Sequence, residues 1–425
     1  MEYKDFDCGT YKIHLIKTDK FKTCHLEINF RSEVSEDKMQ SLTMLSDWLT
    51  DSSERFKEKK DLVIYFEELY KAWIYGTTNK TGNVFNTIFI SDFIAPEYIN
   101  EKDYLEKVLS LPFEMILKPN AKDKEFEIKS FNVVKERLKR DIESIEENPT
   151  KKTIHEALEK VAPKTSTGKS VMGTIDTLEK ITPESLYKVY EWMLKTNLCD
   201  IFIIGNLDEL EVKRIINKYF KLKVVKTHEL NLYVKNEVNK KVNEIGHDSE
   251  FVQTSLAMIY NILDMDDYEK NIVFHLYNYL LGSGGLTSKL YQSVREKNSL
   301  CYNINSMYLK YDYLLLIMVS LDETNREKAI KLISQGVKEM AKGEFTDKDL
   351  EDAKKNLLFS LDMTLDNNIA ILNNYVFHIF DNLPTLEERK KLIENVKKED
   401  IVNLAKKIKL NTIYYLKGGN NVREN

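Results

Sequence analysis

Residues 281–302 read LGSGGLTSKLYQSVREKNSLCY. Gly282, Ser283, Gly284 and Gly285 open this stretch as a flexible turn. Glycine lets a backbone approach another chain closely. The spacing that follows predicts a short helix over Thr287 to Lys297, which Thr287 or Ser288 can cap. Arg295 lies near the end of that helix, and Tyr302 follows seven residues later. The stretch therefore delivers a guanidinium and a phenol to neighbouring points. Such donors suit a peptide carbonyl or a developing oxyanion. The plainer alternative is a helix start with a surface Arg and a half-buried Tyr.

The segment SKLYQSVREKNSLCY, with the glycine-rich loop before it, resembles SxLFxxVREKxGLxY of the pitrilysin-like metallopeptidases. Mitochondrial processing peptidase is one member of that family. Further matches are spread along the chain. Glu147-Asn148-Pro149 resembles the family's acidic-x-Pro turn. Val171 to Thr174 with Ile181 to Glu184, the strand IFIIGNLD from Ile201 to Asp208, and Phe345 to Lys354 resemble three more of its segments. The opening YKIHLIKTDKFKT is similar to that of bacterial silent subunits described as associated with modification of elongation factor P. The resemblance implies an α+β fold of two homologous domains. Each is an antiparallel-rich sheet packed with helices, as in half of a clamshell peptidase.

A chain of 425 residues has room for two or more domains. Its 42% hydrophobic and 31% charged content is that of an ordinary globular protein. The formal charge of −5 argues against broad nucleic-acid binding, and the lysine clusters (Lys57, Lys59 and Lys60; Lys221, Lys223 and Lys226) read as solvated faces. The opening Met-Glu-Tyr-Lys-Asp has no apolar core of a signal peptide, and no apolar run is long enough for a membrane span. Cys8, Cys24, Cys199 and Cys301 are isolated, which fits a reducing cytoplasm better than a disulfide framework.

The polar stretch Thr227 to Ser249 reads as a linker plus the entry strand of a second domain. It divides the chain into an N-terminal domain, 1–226, and a C-terminal domain, 250–425. Each side repeats one order. Cys24 to Arg31 reads as a strand and Lys38 to Thr50 as a helix; Thr254 to Tyr260 and Asp267 to Leu281 repeat this. Later strands follow at Val84 to Ile90 and Tyr313 to Leu321. The pattern is a weak internal repeat, as gene duplication produces. Thr182 with Pro183, and Thr346 with Asp349, read as helix starts.

Members of the family that cut peptides carry HxxEH on the first long helix. The two His bind zinc, and the Glu works on the zinc-bound water. No two of the seven His here lie within five residues of each other. By the resemblance, the motif falls on Thr43-Met44-Leu45-Ser46-Asp47, so Thr43, Ser46 and Asp47 stand at its three functional positions. Thr and Ser cannot replace a neutral imidazole and a general base, and Asp47 alone is a poor zinc anchor. The family's third ligand is a Glu on a later helix. Glu136 is the candidate remnant, on an amphipathic helix from Phe126 to Ile145; a plain charged surface residue is the alternative. Nothing in the spacing supports a scattered site of His25, His155 and Glu136.

Ser166 to Ser170, STGKS, lacks the first glycine and the preceding strand of a phosphate-binding loop, and the glycines at 282–285 lack a GxGxxG frame. Aromatic clusters such as Phe274, Tyr277 and Tyr279 read as core. Paired family members divide the labour between an HxxEH subunit and a subunit carrying the Arg/Tyr pair. The resemblance thus implies a non-catalytic cytoplasmic subunit with no cofactor of its own. Its expected partner is an HxxEH-bearing homologue that holds zinc, and its expected substrates are peptides; nucleic acid and membrane are not expected partners. Arg295 and Tyr302 are its implied catalytic contribution, and Gly282 to Gly285 its substrate loop. A scaffold that binds peptides without hydrolysis, and a single-chain peptidase with another metal site, are the rival readings.

Overall fold

A computed structural model of the protein describes residues 1–222 and 229–419. Lys223, Lys226, Thr227 and His228 lie outside the described residues, so the start of the expected linker does too. The described chain forms two compact units. One comprises Met1–Glu143, Ser170–Leu232 and Asn367–Val376; the other comprises Ser144–Lys169, Tyr233–Asp366 and the chain from Phe377 onward. Neither unit is one continuous segment.

The first unit is built on six strands: β1 (Glu2–Asp7), β2 (Lys12–Lys17), β3 (Thr23–Glu33), β4 (Trp73–Thr81), β5 (Val84–Ile94) and, after a short ribbon of β6 (Ala121–Lys122) and β7 (Glu125–Phe126), β8 (Leu198–Gly205). Their order in the sheet is β1-β2-β8-β3-β5-β4. Side chains alternate across a strand, and β3 shows what that does here. Cys24, Leu26, Ile28 and Phe30 enter the apolar core with Trp48, Phe89, Phe113 and Phe220. His25, Glu27, Asn29 and Arg31 occupy the alternate positions. Arg31 donates to Asp200 on β8 at 2.7 Å, and His14 on β2 meets the same carboxylate at 3.0 Å. The helix Glu36–Trp48 lies on the apolar face through Met39, Leu42, Leu45 and Trp48.

The second unit holds β9 (Asn243–Asp248), β10 (Thr254–Ile262), β11 (Cys301–Leu309), β12 (Leu314–Leu321) and β13 (Ile408–Lys417), ordered β11-β12-β10-β13-β9. Leu256, Met258 and Tyr260 face one core; Ala257 and Ile259 face another, which they share with Ala157 and Val161. The helix Pro149–Val161, from the N-terminal half of the sequence, therefore covers this sheet. Asn148 caps that helix by accepting from the Lys151 amide at 3.0 Å.

Strand by strand, β2-β8-β3-β5-β4 and β9-β13-β10-β12-β11 have the same topology. The first pair in each is parallel and the remaining three are antiparallel. The repeat read from the sequence is thus a repeat of the fold, with β3 matched to β10 and β5 to β12. The mixed α/β architecture of two sheet-rich halves agrees with the expected fold class. The helix starts agree as well: Ser185 donates its amide to Thr182 at 3.1 Å, and Asp349 to Thr346 at 3.1 Å.

Candidate functional site

The glycine loop follows a helical run whose two ends, Glu269–Val273 and Tyr279–Ser283, are π-helical. A Cβ on Gly282 would lie 2.5 Å from Ser306 Oγ, so the helix end can sit against β11 only without a side chain there. Gly285 has φ +62°, the left-handed region that glycine enters without strain. Leu286 at the tip is exposed.

The helix expected from Thr287 to Lys297 takes another form. A 3₁₀ turn, Gly285–Thr287, is followed by extended Ser288 and then a π-helical run, Tyr291–Glu296. Ser288 Oγ donates back to the Gly285 carbonyl at 2.8 Å, so it does not act as the expected cap. Thr287 likewise turns to the Gly284 carbonyl, at 3.4 Å. Short π-helical turns are frequent at functional sites, and nothing in the residue spacing signalled these.

Arg295 is half-buried. Its guanidinium lies over the Tyr291 ring, 4.6 Å from the centroid, and donates to the Tyr291 hydroxyl. The chain then reverses: Ser299, at φ +53°, bonds to the Arg295 carbonyl at 2.8 Å, and Leu300 to that of Val294 at 3.1 Å. This turn sets the start of β11 beside the end of the π-helical run. Cys301 pairs with Leu321 and Asn303 with Ser320, so the ladder slips at Tyr302. Tyr302 is the extra residue of a β-bulge, a device that re-aims a side chain. It is 81% exposed, which removes the half-buried packing alternative. Burial pushes the neighbouring Cys301 thiol up to about 11, against the pull of Arg295, so it stays protonated at neutral pH.

The degenerate metal positions lie in the first unit, on helix Glu36–Trp48. Thr43 Oγ1 donates to the Val171 carbonyl at 2.8 Å and meets Thr78 Oγ1 at 3.0 Å. Ser46 is buried and donates to the Thr43 carbonyl at 2.8 Å. Asp47 faces Arg137, at 3.5 Å; Arg137 also donates to Asp51 at 2.7 Å, and Lys59 joins Asp51. Burial raises the Asp47 carboxyl above its ordinary range despite Arg137. Glu136 is exposed, and its neighbour Arg137 is the residue of the helix Ile128–Glu147 that reaches Asp47. Two hydroxyls spent on carbonyls and a carboxylate held by a guanidinium do not fit zinc, which takes deprotonated N, S or O donors. Among the described residues, no group of three His, Cys, Asp or Glu is arranged to hold a metal ion.

His25 has no free lone pair for a metal. Its Nδ1 meets Asp92 at 2.8 Å and its Nε2 meets Glu27 at 3.1 Å. Ser166–Gly168 of the STGKS segment forms a 3₁₀ turn, with Thr167 donating to Asp312 at 2.5 Å. No helix among the described residues is long and apolar enough to cross a membrane.

The sequence profile described as "Peptidase M16 inactive domain" matches residues 180–357. A conserved protein from Enterococcus faecalis superposes with TM-score 0.92 at 24% identity, over 98% of this chain and 99% of its own. The peptidase M16 inactive domain from Pseudomonas fluorescens superposes with TM-score 0.79 at 17% identity, over 99% of both chains. Fold and sequence both resemble those of inactive M16 metalloprotease-like proteins, the class that the pitrilysin-like resemblance implied. In particular, it is similar along nearly its whole length to "Probable inactive metalloprotease YmfF" of Bacillus subtilis: 26% identical over 416 residues, 96% of each protein.

Proposed function

We propose that this chain is the non-catalytic subunit of a heterodimeric zinc peptidase, supplying Arg295 and Tyr302 to substrate held against an HxxEH-bearing partner. One contrast carries the reading. The metal positions are spent on internal hydrogen bonds and an ion pair, whereas Tyr302 is held outward on a bulge at the start of β11, just after the turn that follows Arg295. A tyrosine with a packing role has no need of such exposure.

In this scheme the partner's zinc supplies the Lewis acid and the activated water. Arg295 binds a main-chain carbonyl of the peptide, its guanidinium held in place by Tyr291. Tyr302 donates a hydrogen bond to the oxyanion of the tetrahedral intermediate. The peptide adds as a strand to an exposed sheet edge, so main-chain contacts dominate and sequence selectivity is loose. Gly282 to Gly285 guide it.

The test uses the chain mixed with a competent HxxEH homologue. Turnover of an unstructured peptide is expected only in the mixture. Tyr302→Phe is expected to lower kcat by roughly ten- to a thousandfold with little change in KM, as loss of one oxyanion donor does. Its thermal stability should not move, because the side chain is exposed. Wild-type turnover in a folded Tyr302→Phe heterodimer would remove the catalytic assignment. Assembly without any turnover would favour the scaffold reading.

A further inference from the structure

The two sheets match strand for strand with one exception. In the first sheet β1 covers the outer edge of β2, pairing antiparallel with it from Glu2↔Lys17 to Asp7↔Lys12. In the second sheet the counterpart of β2 is β9, which ends the sheet with no strand beyond it among the described residues. Its residues are almost all exposed. The edge also has a defined polarity. The Ser249 amide bonds to the Lys417 carbonyl on the β13 side. By strand alternation, the amides of Glu244, Gly246 and Asp248 point the other way, toward the open edge. Unpaired amides in a row are a template for another strand.

An acidic cleft of about 780 Å³ adjoins this edge, between the last residues of β9 and the helix Pro149–Val161. Six carboxylates line it against two lysines and His247. Lys152 is already paired with Glu146 at 2.9 Å, and Tyr414 donates to Glu156. Asp248 is paired with Lys417 at 3.6 Å, and the remaining acids, among them Glu147, Glu159 and Glu250, leave the cleft negative. All of these residues belong to the second unit. None is part of the Arg295/Tyr302 site.

We infer that β9 is a docking edge for an extended, lysine- or arginine-rich segment of another polypeptide, which completes the second sheet in the place that β1 fills in the first. The incoming strand pairs antiparallel with β9, and its amide and carbonyl groups meet those of Glu244, Gly246 and Asp248. Its basic side chains on one face enter the acidic cleft. Main-chain pairing supplies affinity and the carboxylates supply selectivity.

The test is fluorescence anisotropy of the full chain with three labelled peptides: alternating Lys and Val, alternating Glu and Val, and the Lys/Val peptide interrupted by proline. The uninterrupted basic peptide should bind saturably, at least about tenfold more tightly than the other two. Glu244→Pro removes one outward amide while sparing the bonds to β13, as proline at a sheet edge does. It should weaken binding by about tenfold with an unchanged melting temperature. Glu159→Gln combined with Glu250→Gln should weaken binding severalfold and flatten its salt dependence. These two variants act independently, so misfolding of one leaves the other decisive. The proposal is overturned if the basic and acidic peptides bind alike, or if binding survives unchanged in both variants. It is also overturned if the chain self-associates through this edge, so that Glu244→Pro converts a homodimer to monomer; the occupant is then a second copy.

Discussion

Stability should fall as pH rises through the alkaline range, and His25 is the reason. The side chain is fully buried, with Asp92 on one ring nitrogen at 2.8 Å and Glu27 on the other at 3.1 Å. Burial alone would push the imidazolium toward its neutral form. The two carboxylates outweigh it and lift the pKa to about 9, from the ordinary 6.5. Between those two values the folded protein holds a proton that the unfolded chain has released. Stability then drops with rising pH by about 1.4 kcal/mol per unit. The contribution is complete below the unfolded value and lost as pH passes through the folded one. Over the whole window it amounts to about 3 kcal/mol. The assay is urea denaturation at closely spaced pH values from 6 to 10, on the wild type and on His25→Gln. The variant carries no titrating proton there, so subtracting its profile removes the background of thiols and other His. The difference curve should descend by about 3 kcal/mol. Parallel profiles for the two proteins would show that His25 is neutral in the fold and that the ion-triplet reasoning is wrong.

Two further outcomes follow from the first unit. Arg137→Leu leaves Asp47 and Asp51 without their guanidinium and should destabilise by about 2 kcal/mol in urea denaturation, between the exposed and the fully buried cases; a loss below about 0.5 kcal/mol would mean the pair is fully screened. The purified chain should hold no stoichiometric zinc by elemental analysis and leave an unstructured peptide uncut. About one zinc per chain, or turnover that a chelator abolishes, would revive the single-chain peptidase reading.

The sequence by itself determined several of the elements and the absence of a local histidine pair. Apolar alternation placed β3 and β10, and the capping residues Thr182 and Thr346 marked real helix starts. The missing histidine pair was visible because helical metal sites are written in local spacing, and Thr43, Ser46 and Asp47 break that spacing. Arg295 and Tyr302 stood out for the same reason, as residues of one short segment. What lay beyond local spacing was decided only by tertiary structure. Tyr302 is turned outward by a bulge that exists because β11 slips against β12, and a register depends on both strands. Arg137, rather than Glu136, meets Asp47, because which face of a helix is covered is set by what packs on it. Ser144–Lys169 joins the second unit, since Ala157 and Val161 find their apolar partners on β10 rather than near them in sequence. The open edge of β9 is legible only beside the covered edge of β2, because an unpaired strand and a paired one have the same local chemistry and differ only in their neighbours.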